Sequence, residues 1–347
     1  MTVIHVVPEL RAAHIERFTE WAPGDAVLYR ATKWDLGARD LADGINRLTP
    51  QSLVKALRAT GHVTVEIPEP LWMRELPVTI VTALTVRLVK RRNAQLVAYC
   101  IENNSIENLL GKLAWGKSSA ARVVGAVVGS VFGSLLDRVA FGSPGAMATY
   151  ARLPGLLRAP HKLILELPAP TLPLASAAEM DVLFVGRLEE RKGVRPLLEA
   201  WRQIESQTDS SITLVGDGPL RELVAEWARE SPTRRTHVTH IEHNALRDTY
   251  GRHRILVAPS VRDGRWREQI GLPIKEGLSH GLTIVTTEET GLASWLTRAN
   301  HTVVAEVSSL PAALLAAIDA PLEPEDVVRS LPPIDGRRSA DQWMRGQ

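Results

Sequence analysis

The residues best suited to chemistry lie in the second half of the chain, where polar residues follow the ends of apolar runs. The segment VGRLEERKG places Arg187 and Lys192 on one loop, directly after the run DVLFV. A guanidinium group and an ammonium group on one loop can hold a diphosphate, the first through its planar fork and the second as a point charge. We therefore expect the phosphates of a ligand to bind at this loop.

The segment EQIGLPIKE, from Glu268 to Glu276, is the most specific pattern in the chain. Its two carboxylates bracket Gly271 and Leu272, and Pro273 suits the first turn of a helix, where we also expect Glu276. The backbone N–H groups at such a helix start lie at the positive end of the helix dipole and suit a phosphate or sugar hydroxyls. The two carboxylates are suited to accept hydrogen bonds from sugar or ribose hydroxyls.

Glycine-containing turns complete this pattern of strand ends. Gly186 closes the run DVLFV, and the turn VGDGP places Gly216 and Gly218 between a strand and a helix. The segment TEETGL places Gly291 and Leu292 at another helix start. Because the carboxyl ends of parallel strands meet at one edge of a sheet, we expect all of these turns to border the same ligand.

A different segment, GKLAWGKSS at residues 111–119, fits the phosphate-loop pattern G-x-x-x-x-G-K-[ST] letter for letter. A phosphate loop needs a strand directly before it, whereas the nearest predicted strand ends near Ile101 and the intervening IENNSIENLL is helical in pattern. The loop interior is also bulky where a phosphate needs open backbone. We interpret the segment as an exposed basic loop, which makes Lys112 and Lys117 part of a basic face.

The elements that must position these residues alternate between short apolar runs and longer helical patterns, which predicts parallel sheets covered by helices. Helices are expected at residues 51–60 and 76–91. The predicted strands cover residues 3–7, 26–31, 63–67, 96–101, 137–143, 181–186, 212–216, 237–241, 254–260, 282–287 and 301–306. The fold class is therefore α/β.

The segment PAPTLPLASAAE at residues 168–179 is rich in Pro, Ala and Ser and indicates an interdomain linker. We expect one domain at residues 1–170 and a second domain at residues 171–325. The tail at residues 326–347 either packs back on the first domain or is a frayed end. Two open α/β domains in succession predict a ligand in a central cleft between Rossmann-like folds.

The charge of the chain is unevenly distributed. Residues 1–175 carry 20 Lys and Arg against 14 Asp and Glu, a net charge of +6, and the remainder carries 21 against 25, a net charge of −4. The three consecutive cations Lys90-Arg91-Arg92 are the clearest cluster of positive charge in the first half. This asymmetry indicates an anionic partner, either a phospholipid surface or an acidic acceptor; a solvated helix end explains the cluster equally well.

Cysteine usage and apolar segments bear on the location of the protein. The lone Cys100 has no internal disulfide partner, which favours a reducing cytoplasm, and the N-terminal MTVIHVVPEL lacks the pattern of a secretion signal. The most apolar segment, residues 123–136, is shorter than the roughly 20 residues that span a bilayer. We expect it to be a buried or membrane-surface helix.

In order and spacing, the segments FVGRLEERKG, VGDGP, APS and EQIGLPIKEGLSHG resemble the retaining glycosyltransferases with two Rossmann-like domains, the GT-B fold. Within that class they resemble glycosyltransferase family four (glycosyl transferases group 1), over about residues 180–300. The resemblance implies that the first domain binds the acceptor and the second domain the nucleotide sugar. It also implies that Arg187 and Lys192 hold the donor diphosphate. It implies that Glu268 contacts the donor sugar and Glu276 the ribose.

The same resemblance implies the wider chemistry of a hexosyltransferase. The donor would be a nucleotide-diphosphate sugar and the acceptor a glycan or a lipid-linked sugar, with no nucleic acid as partner. No metal and no other cofactor would be needed, and the leaving phosphate itself would take the acceptor's proton. Peripheral association with the inner face of a membrane is compatible with the basic first half.

The first half departs from the family pattern at two places. The first strand usually leads into a glycine-rich loop, whereas VVPELRAAHIERF contains no glycine. A histidine often follows the fourth or fifth strand, whereas IENN has Glu102 and Asn103 there, either as sugar or acceptor contacts or as a structural polar cluster. These departures leave two alternatives open, a non-catalytic nucleotide-sugar-binding or membrane-docking homologue and a nucleotide-sugar epimerase.

Overall fold

The structure, a computed structural model, consists of two compact units. The first unit comprises residues 1–164 together with 337–347, and the second comprises residues 165–336. The residues that the structure describes are 2–21, 24–33, 36, 41, 43–110, 118–172, 174, 180–241, 243–264 and 266–347. Most of GKLAWGKSS and much of the predicted linker, residues 111–117, 173 and 175–179, therefore lie outside the described residues.

The first unit contains a sheet of seven parallel strands. In chain order they are β1 (Thr2–Leu10), β2 (Ala26–Thr32), β3 (Ile45–Arg47), β4 (Val63–Ile67), β5 (Ala94–Cys100), β6 (Arg138–Phe141) and β7 (His161–Leu163). Their order across the sheet is β3-β2-β1-β4-β5-β6-β7. The direction of strand order reverses at β1, which places the carboxyl ends of β1 and β4 at the topological switch point.

Helices cover both faces of this sheet. They are α1 (Ala12–Trp21), α2 (Pro50–Ala59), α3 (Leu76–Lys90), α4 (Ile106–Leu110), α5 (Ser118–Leu135), α6 (Pro144–Ala151) and the C-terminal α14 (Gly336–Arg345). Side chains alternate between the faces of a strand. On β5, Leu96 and Ala98 therefore pack with α2, α3 and α5, whereas Val97 packs with Ala340 and Met344 of α14.

The second unit contains a sheet of six parallel strands. They are β8 (Met180–Val185), β9 (Ile212–Val215), β10 (Arg235–Val238), β11 (His253–Ala258), β12 (Thr283–Thr287) and β13 (Thr302–Val304). Their order is β10-β9-β8-β11-β12-β13, so the strand order reverses between β8 and β11. The strands are short, and β9 and β12 are buried along their whole length.

Seven helices of the second unit are described: α7 (Val194–Ile204), α8 (Arg221–Arg229), α9 (His243–Gly251), α10 (Leu272–Ser279), α11 (Ala293–Arg298), α12 (Leu310–Asp319) and α13 (Pro324–Arg329). Trp201 of α7 and Trp227 of α8 are the largest fully buried side chains of the described residues. The two indole rings fill the core between these helices and strands β8 and β9. Two of the nine tryptophans thus have a packing role.

The predicted α/β fold is confirmed, and each predicted strand is present with small shifts at its ends. Strands β3 and β7 were not predicted, because these three-residue segments are largely exposed and contain no apolar run. The prediction that IENNSIENLL is helical throughout is wrong. Residues 101–105 form no regular structure, and α4 begins only at Ile106.

The apolar residues 123–136 lie mostly in α5, which buries Val128 and Phe132 and exposes Val123 and Val127. Among the described residues, no helix combines the length and the apolar character that crossing a bilayer requires.

Candidate functional site

The candidate site lies at the topological switch point of the second sheet, where the loops after β8 and β11 leave the carboxyl ends of adjacent strands. In open parallel sheets this is where ligands bind, because the two loops diverge and leave a crevice. The loop after β8 contains Arg187 and Lys192, and the loop after β11 contains Ser260 and Glu268. Two of the sequence patterns thus meet at adjacent strands.

The loop after β8 is held close to β11 by a glycine. Gly193 has a φ of 70°, and a Cβ built on it would lie 1.9 Å from the carbonyl oxygen of Pro259. No larger residue fits there without moving the backbone, so Gly193 fixes the distance between the two loops. The backbone N–H of Val261 also donates to the carbonyl of Arg191 at 3.0 Å.

Lys192 and Glu268 form the centre of the site. The Lys192 Nζ pairs with Oε2 of Glu268, and Ser260 Oγ donates to the same oxygen at 3.1 Å. Both charged side chains are mostly but not fully buried. A partly buried ammonium group can bind a phosphate oxygen, and the adjacent carboxylate can accept hydrogen bonds from hydroxyl groups.

The remaining predicted cation, Arg187, lies on the same loop in a more open position. Its side chain is 57% exposed, and its Nε lies 3.3 Å from Oε2 of Glu189. The guanidinium group is therefore accessible from solvent at the surface of the loop, whereas the Lys192 side chain is mostly buried. The structure brings Lys192 and Glu268 into direct contact and gives Arg187 a different carboxylate.

Trp266 is a part of the site that the sequence analysis missed. The guanidinium carbon of Arg191 lies 4.6 Å from the centre of its ring, and the Lys192 Nζ lies 5.1 Å from it. The ring face attracts both cations, which restricts where the two side chains can point. A tryptophan two residues before Glu268 was visible in the sequence, but only the fold shows that it lies beside the other loop.

The turn VGDGP packs on the loop after β8 through backbone contacts. A Cβ on Gly216 would lie 1.8 Å from the carbonyl oxygen of Gly186, and one on Gly218 would lie 2.4 Å from that of Leu188. The N–H of Leu188 donates to the carbonyl of Asp217 at 2.9 Å. The two glycines of this turn therefore allow its backbone to pack closely against the loop after β8.

Helix α10 begins at Leu272, one residue before the expected start at Pro273 and directly after Gly271, whose φ of 90° favours glycine. Leu272, the first helical residue, is 61% exposed. Glu276 is the fifth residue of α10 and so lies in its second turn, not in the first as expected, because the helix begins before Pro273. Beside it, burial and then the Glu276 carboxylate raise the pKa of Tyr250 well above its usual value.

The segment TEETGL contacts the loop that contains Glu268. The N–H of Gly291 donates to the carbonyl of Gln269 at 2.8 Å, and Thr290 Oγ1 donates to that of Ile270 at 2.7 Å. Leu292 is fully buried. The bonds from Thr290 and Gly291 hold the loop on which Glu268 lies, so this segment supports the site through that loop.

Glu102 and Asn103 lie in the first unit, after β5. Asn103 is buried, and the Glu102 Oε1 accepts the backbone N–H of Asn104 at 2.9 Å. The same turn is held by Glu69, which the sequence analysis missed. Its Oε2 accepts the N–H of Ile101 at 2.9 Å, that of Glu102 at 3.0 Å, and the hydroxyl of Tyr150 at 2.9 Å.

The buried Glu69 has an unusual protonation equilibrium. Burial, and then the nearby negative charge of Glu102, raise the pKa of Glu69 to about 7 although it accepts three hydrogen bonds. Residue 69 follows β4 closely, in EIPEP, which is the one signal in the sequence that could have marked it.

As for metals, the described side chains of His, Cys, Asp and Glu form no group of three that could hold an ion.

The chain is similar to one protein family over part of its length and to solved structures over its whole length. Residues 179–323 match the family model Glycosyl transferases group 1, whereas no curated protein matches the chain significantly. Among solved structures, HepE of Anabaena in complex with UDP is similar over 100% of both chains, with a TM-score of 0.69 and 13% identity.

Two further solved structures have the same fold. The α,α-trehalose-phosphate synthase (UDP-forming) of Burkholderia xenovorans, in complex with glucose-6-phosphate, is similar over 99% of both chains, with a TM-score of 0.66 and 11% identity. The lipopolysaccharide outer core galactosyltransferase WaaB is similar over 100% of both chains, with a TM-score of 0.62 and 12% identity. The chain therefore has the two-unit α/β fold of the GT-B glycosyltransferases, and within it residues 179–323 match the family Glycosyl transferases group 1.

Proposed function

We propose that this protein is a glycosyltransferase that moves a sugar from a nucleotide-diphosphate donor to an acceptor hydroxyl, with retention of anomeric configuration, as a member of glycosyltransferase family four. The observation that carries the proposal is the contact between Lys192 and Glu268 at the switch point of the second sheet. This contact lies inside the residues that match the family model.

The arrangement suits the charges of such a reaction. Cleavage of the sugar–phosphate bond builds negative charge on the leaving diphosphate and positive charge on the sugar ring. Lys192, Arg187 and the amino end of α10 stabilise the first, because fixed positive groups act strongly in a partly buried site. Glu268 contacts the hydroxyls of the sugar, and Glu276 those of the ribose.

The cations carry the charge stabilisation, so we propose that no metal is needed. Transfer that persists when a chelator such as EDTA is present supports this proposal. Transfer that stops with the chelator and returns on addition of Mg²⁺ or Mn²⁺ overturns it.

UDP-sugars are the first donors to test. HepE was solved with UDP and with UDP-glucose, and the trehalose-phosphate synthase with glucose-6-phosphate. For this chain we propose a UDP-hexose donor and a glycan or lipid-linked acceptor, in glycan, glycolipid or exopolysaccharide assembly. The net charge of +6 on residues 1–175 supports an anionic acceptor and peripheral association with the cytoplasmic face of a membrane.

One observation favours a second candidate, a nucleotide-sugar-binding protein without catalytic activity. The single residue Arg11 separates β1 from α1, so the first strand has no glycine-rich loop through which the first unit could approach a donor. In this candidate the second unit binds the donor and no sugar is transferred.

The two candidates are separated by two measurements on the full chain. Thermal shift with UDP, ADP, GDP and their common sugars identifies the donor, and failure of all of them to raise Tm overturns both candidates. Donor turnover, with and without sugar acceptors, is then compared between the wild type and Glu268→Ala. Turnover that the variant loses supports the enzyme, and NMR of the product's anomeric proton tests retention; binding without turnover in the wild type supports the second candidate.

A further inference from the structure

One surface of the first unit carries exposed apolar side chains where a surface helix ordinarily has polar ones. On α3, Val81, Leu84 and Leu88 point to solvent, and Leu88 is 79% exposed. They recur at intervals of three and four residues, which places them on one side of the helix. On α5, Val123 and Val127 are likewise exposed, at 63% and 58%. We call these five residues the apolar stripe.

The two helices that carry the apolar stripe are neighbours. Both cross over the same face of the first sheet, α3 between β4 and β5 and α5 between β5 and β6. Arg87 of α3 donates from Nε to the carbonyl of Leu135 at the end of α5, at 3.1 Å. Nine large apolar side chains are exposed among the described residues, and five of them belong to this stripe. The concentration distinguishes it from the single exposed apolar residues that every protein has.

The charges on helices α2, α3 and α5 have one sign, because these helices contain no Asp or Glu. The exposed Glu107 lies on the neighbouring α4. Exposed cations flank the stripe: Lys55, Arg58, Arg91, Arg92 and Arg122. The carboxylate of Asp137, which follows α5, is already paired with Arg87 at 2.7 Å and so does not neutralise these cations.

Lys90, which also lies near the stripe, has a structural role instead. The ammonium group of Lys90 binds the carbonyls of Thr60 and Gly61 at the end of α2. The sequence cluster Lys90-Arg91-Arg92 therefore divides into one lysine that joins two helices and two arginines that face solvent.

We propose that this face of the first unit, the apolar stripe with its flanking cations, binds an anionic phospholipid bilayer. Aliphatic side chains enter the interfacial region, and the arginines and lysines bind lipid phosphates. A second copy of the chain is a poor occupant of this face, because two-fold pairing would place cations against cations. The inference deepens the proposed function and rests on it for one point only, that the acceptor is reached at a membrane.

The experiment measures binding of the full chain to vesicles without any nucleotide, so its outcome is independent of donor binding. Vesicles of phosphatidylcholine alone are compared with vesicles that also contain phosphatidylglycerol, at about 0.1 M and about 1 M salt. We expect binding only to the anionic vesicles, and weaker binding at high salt. Absence of binding to anionic vesicles at low salt overturns the proposal.

Two variants assign the binding to this face. Leu84→Ser/Leu88→Ser removes two exposed apolar side chains and is expected to lower the partition coefficient by about tenfold or more. Arg91→Gln/Arg92→Gln is expected to lower it by about 25-fold, because each of the two surface cations contributes about fivefold. The matched controls, Leu172→Ser and Arg229→Gln/Arg298→Gln, change exposed residues of the second unit and should bind like the wild type.

The fluorescence of an attached dye tests the same face if one of these double variants folds poorly. Because the only cysteine of the sequence, Cys100, is buried, a dye can be attached selectively at Leu88→Cys or, as control, at Leu172→Cys. We expect the emission of the dye at residue 88 to shift to the blue on anionic vesicles and that at residue 172 to stay unchanged. Equal responses at both residues overturn the proposal. So does a dimer that forms without lipid and that Leu84→Ser/Leu88→Ser dissociates, which would assign the face to a second copy.

Discussion

The ammonium group of Lys192 and the carboxylate of Glu268 are paired in the second unit although 76 residues separate them in the chain. Ser260 binds the same carboxylate oxygen, so Glu268 is held from two sides. A diphosphate that enters this site therefore meets a lysine whose charge is already compensated. The two residues can be distinguished by experiment, because one is assigned to the phosphates and the other to the sugar.

Lys192→Ala is expected to weaken the binding of UDP by about 10- to 100-fold, the range expected for the loss of a hydrogen bond to a charged group. Isothermal titration calorimetry measures the effect directly. The matched control is Lys117→Ala, which removes the lysine of the phosphate-loop-like segment GKLAWGKSS and should leave the affinity unchanged. A large effect at residue 117 and none at residue 192 would reverse the assignment of the phosphate site.

Glu268→Gln is expected to have opposite effects on UDP binding and on sugar transfer. The amide can still accept the hydrogen bond from Ser260 but no longer compensates the charge of Lys192, so the affinity for UDP should stay equal or rise. Transfer should fall by about 100-fold or more, because the carboxylate that faces the sugar in the transition state is lost. If the variant loses UDP affinity and keeps its kcat, Glu268 acts on the diphosphate and the assignment to the sugar is wrong.

Gly193→Ala is expected to destabilise the second unit by at least about 2 kcal/mol, because the new methyl group combines an unfavourable positive φ with overpacking against the carbonyl of Pro259. Urea denaturation measures the change. Gly61→Ala serves as control, since a Cβ there would meet nothing within 4 Å. Equal stability of the two variants would show that the loop after β8 is free to move away from β11.

Glu69→Gln is expected to change the pH dependence of stability. The pKa of Glu69 is about 7 in the folded protein and 4.5 for the free side chain, so folding favours its protonated form. The stabilisation from that proton is complete below about pH 4.5 and is lost as the pH rises through 7, a difference on the order of 3 kcal/mol.

The glutamine side chain resembles the protonated carboxyl at every pH. The free energy of unfolding of the variant should therefore rise relative to that of the wild type between pH 4.5 and pH 8, as urea denaturation across this range would show. A constant difference between the two proteins would mean that Glu69 is ionised in the fold at all these pH values.

Arg337→Met is expected to cost the first unit about 3–5 kcal/mol, because Glu66 is left buried with less compensation. Arg337 of α14 pairs with Glu66 of β4, and His5 Nδ1 lies 2.8 Å from the same carboxylate. Arg329→Met, which removes an exposed ion pair with Asp326, should cost less than about 1 kcal/mol. Equal costs in urea denaturation would show that α14 is not held by its charges.

The same pairing predicts loss of stability in acid. Burial alone would raise the pKa of Glu66, but Arg337, Arg17 and the hydrogen bond from His5 outweigh it and hold the pKa well below its usual value. The stabilisation is therefore present above about pH 4.5 and is lost as the pH falls through the lowered pKa. In Arg337→Met this acid-sensitive part of the stability should be reduced.

The sequence predicted the fold well, because buried parallel strands are continuous apolar runs that stand out from the helical patterns between them. It also placed Lys192 and Glu268 in one site, because each follows a strand and strand ends meet at one edge. Ser260, Trp266 and Glu69 were missed. Ser260 and Glu69 each follow a strand closely, and Trp266 lies two residues before Glu268, but which side chains they contact depends on which strand lies beside which.

The C-terminal helix was beyond prediction for the same physical reason. The tail RRSADQWMRGQ is compatible with a packed helix and with a frayed end. What decides its position is the pairing of Arg337 with a glutamate 271 residues earlier in the chain, together with Ala340 and Met344 against β5 and β6. Such pairs leave no mark in local periodicity.

The seating of α14 on the first unit has a consequence for biosynthesis. A ribosome makes residues 2–164 before the second unit, and it makes the residues from Arg337 onward, which complete the first unit, only after the second unit. The second unit is continuous in sequence, so all its strands are made before α14. Until α14 is made, Glu66 and Asp25 of the first unit lack the arginines that pair with them in the folded protein. The first unit is therefore begun before the second but completed after it.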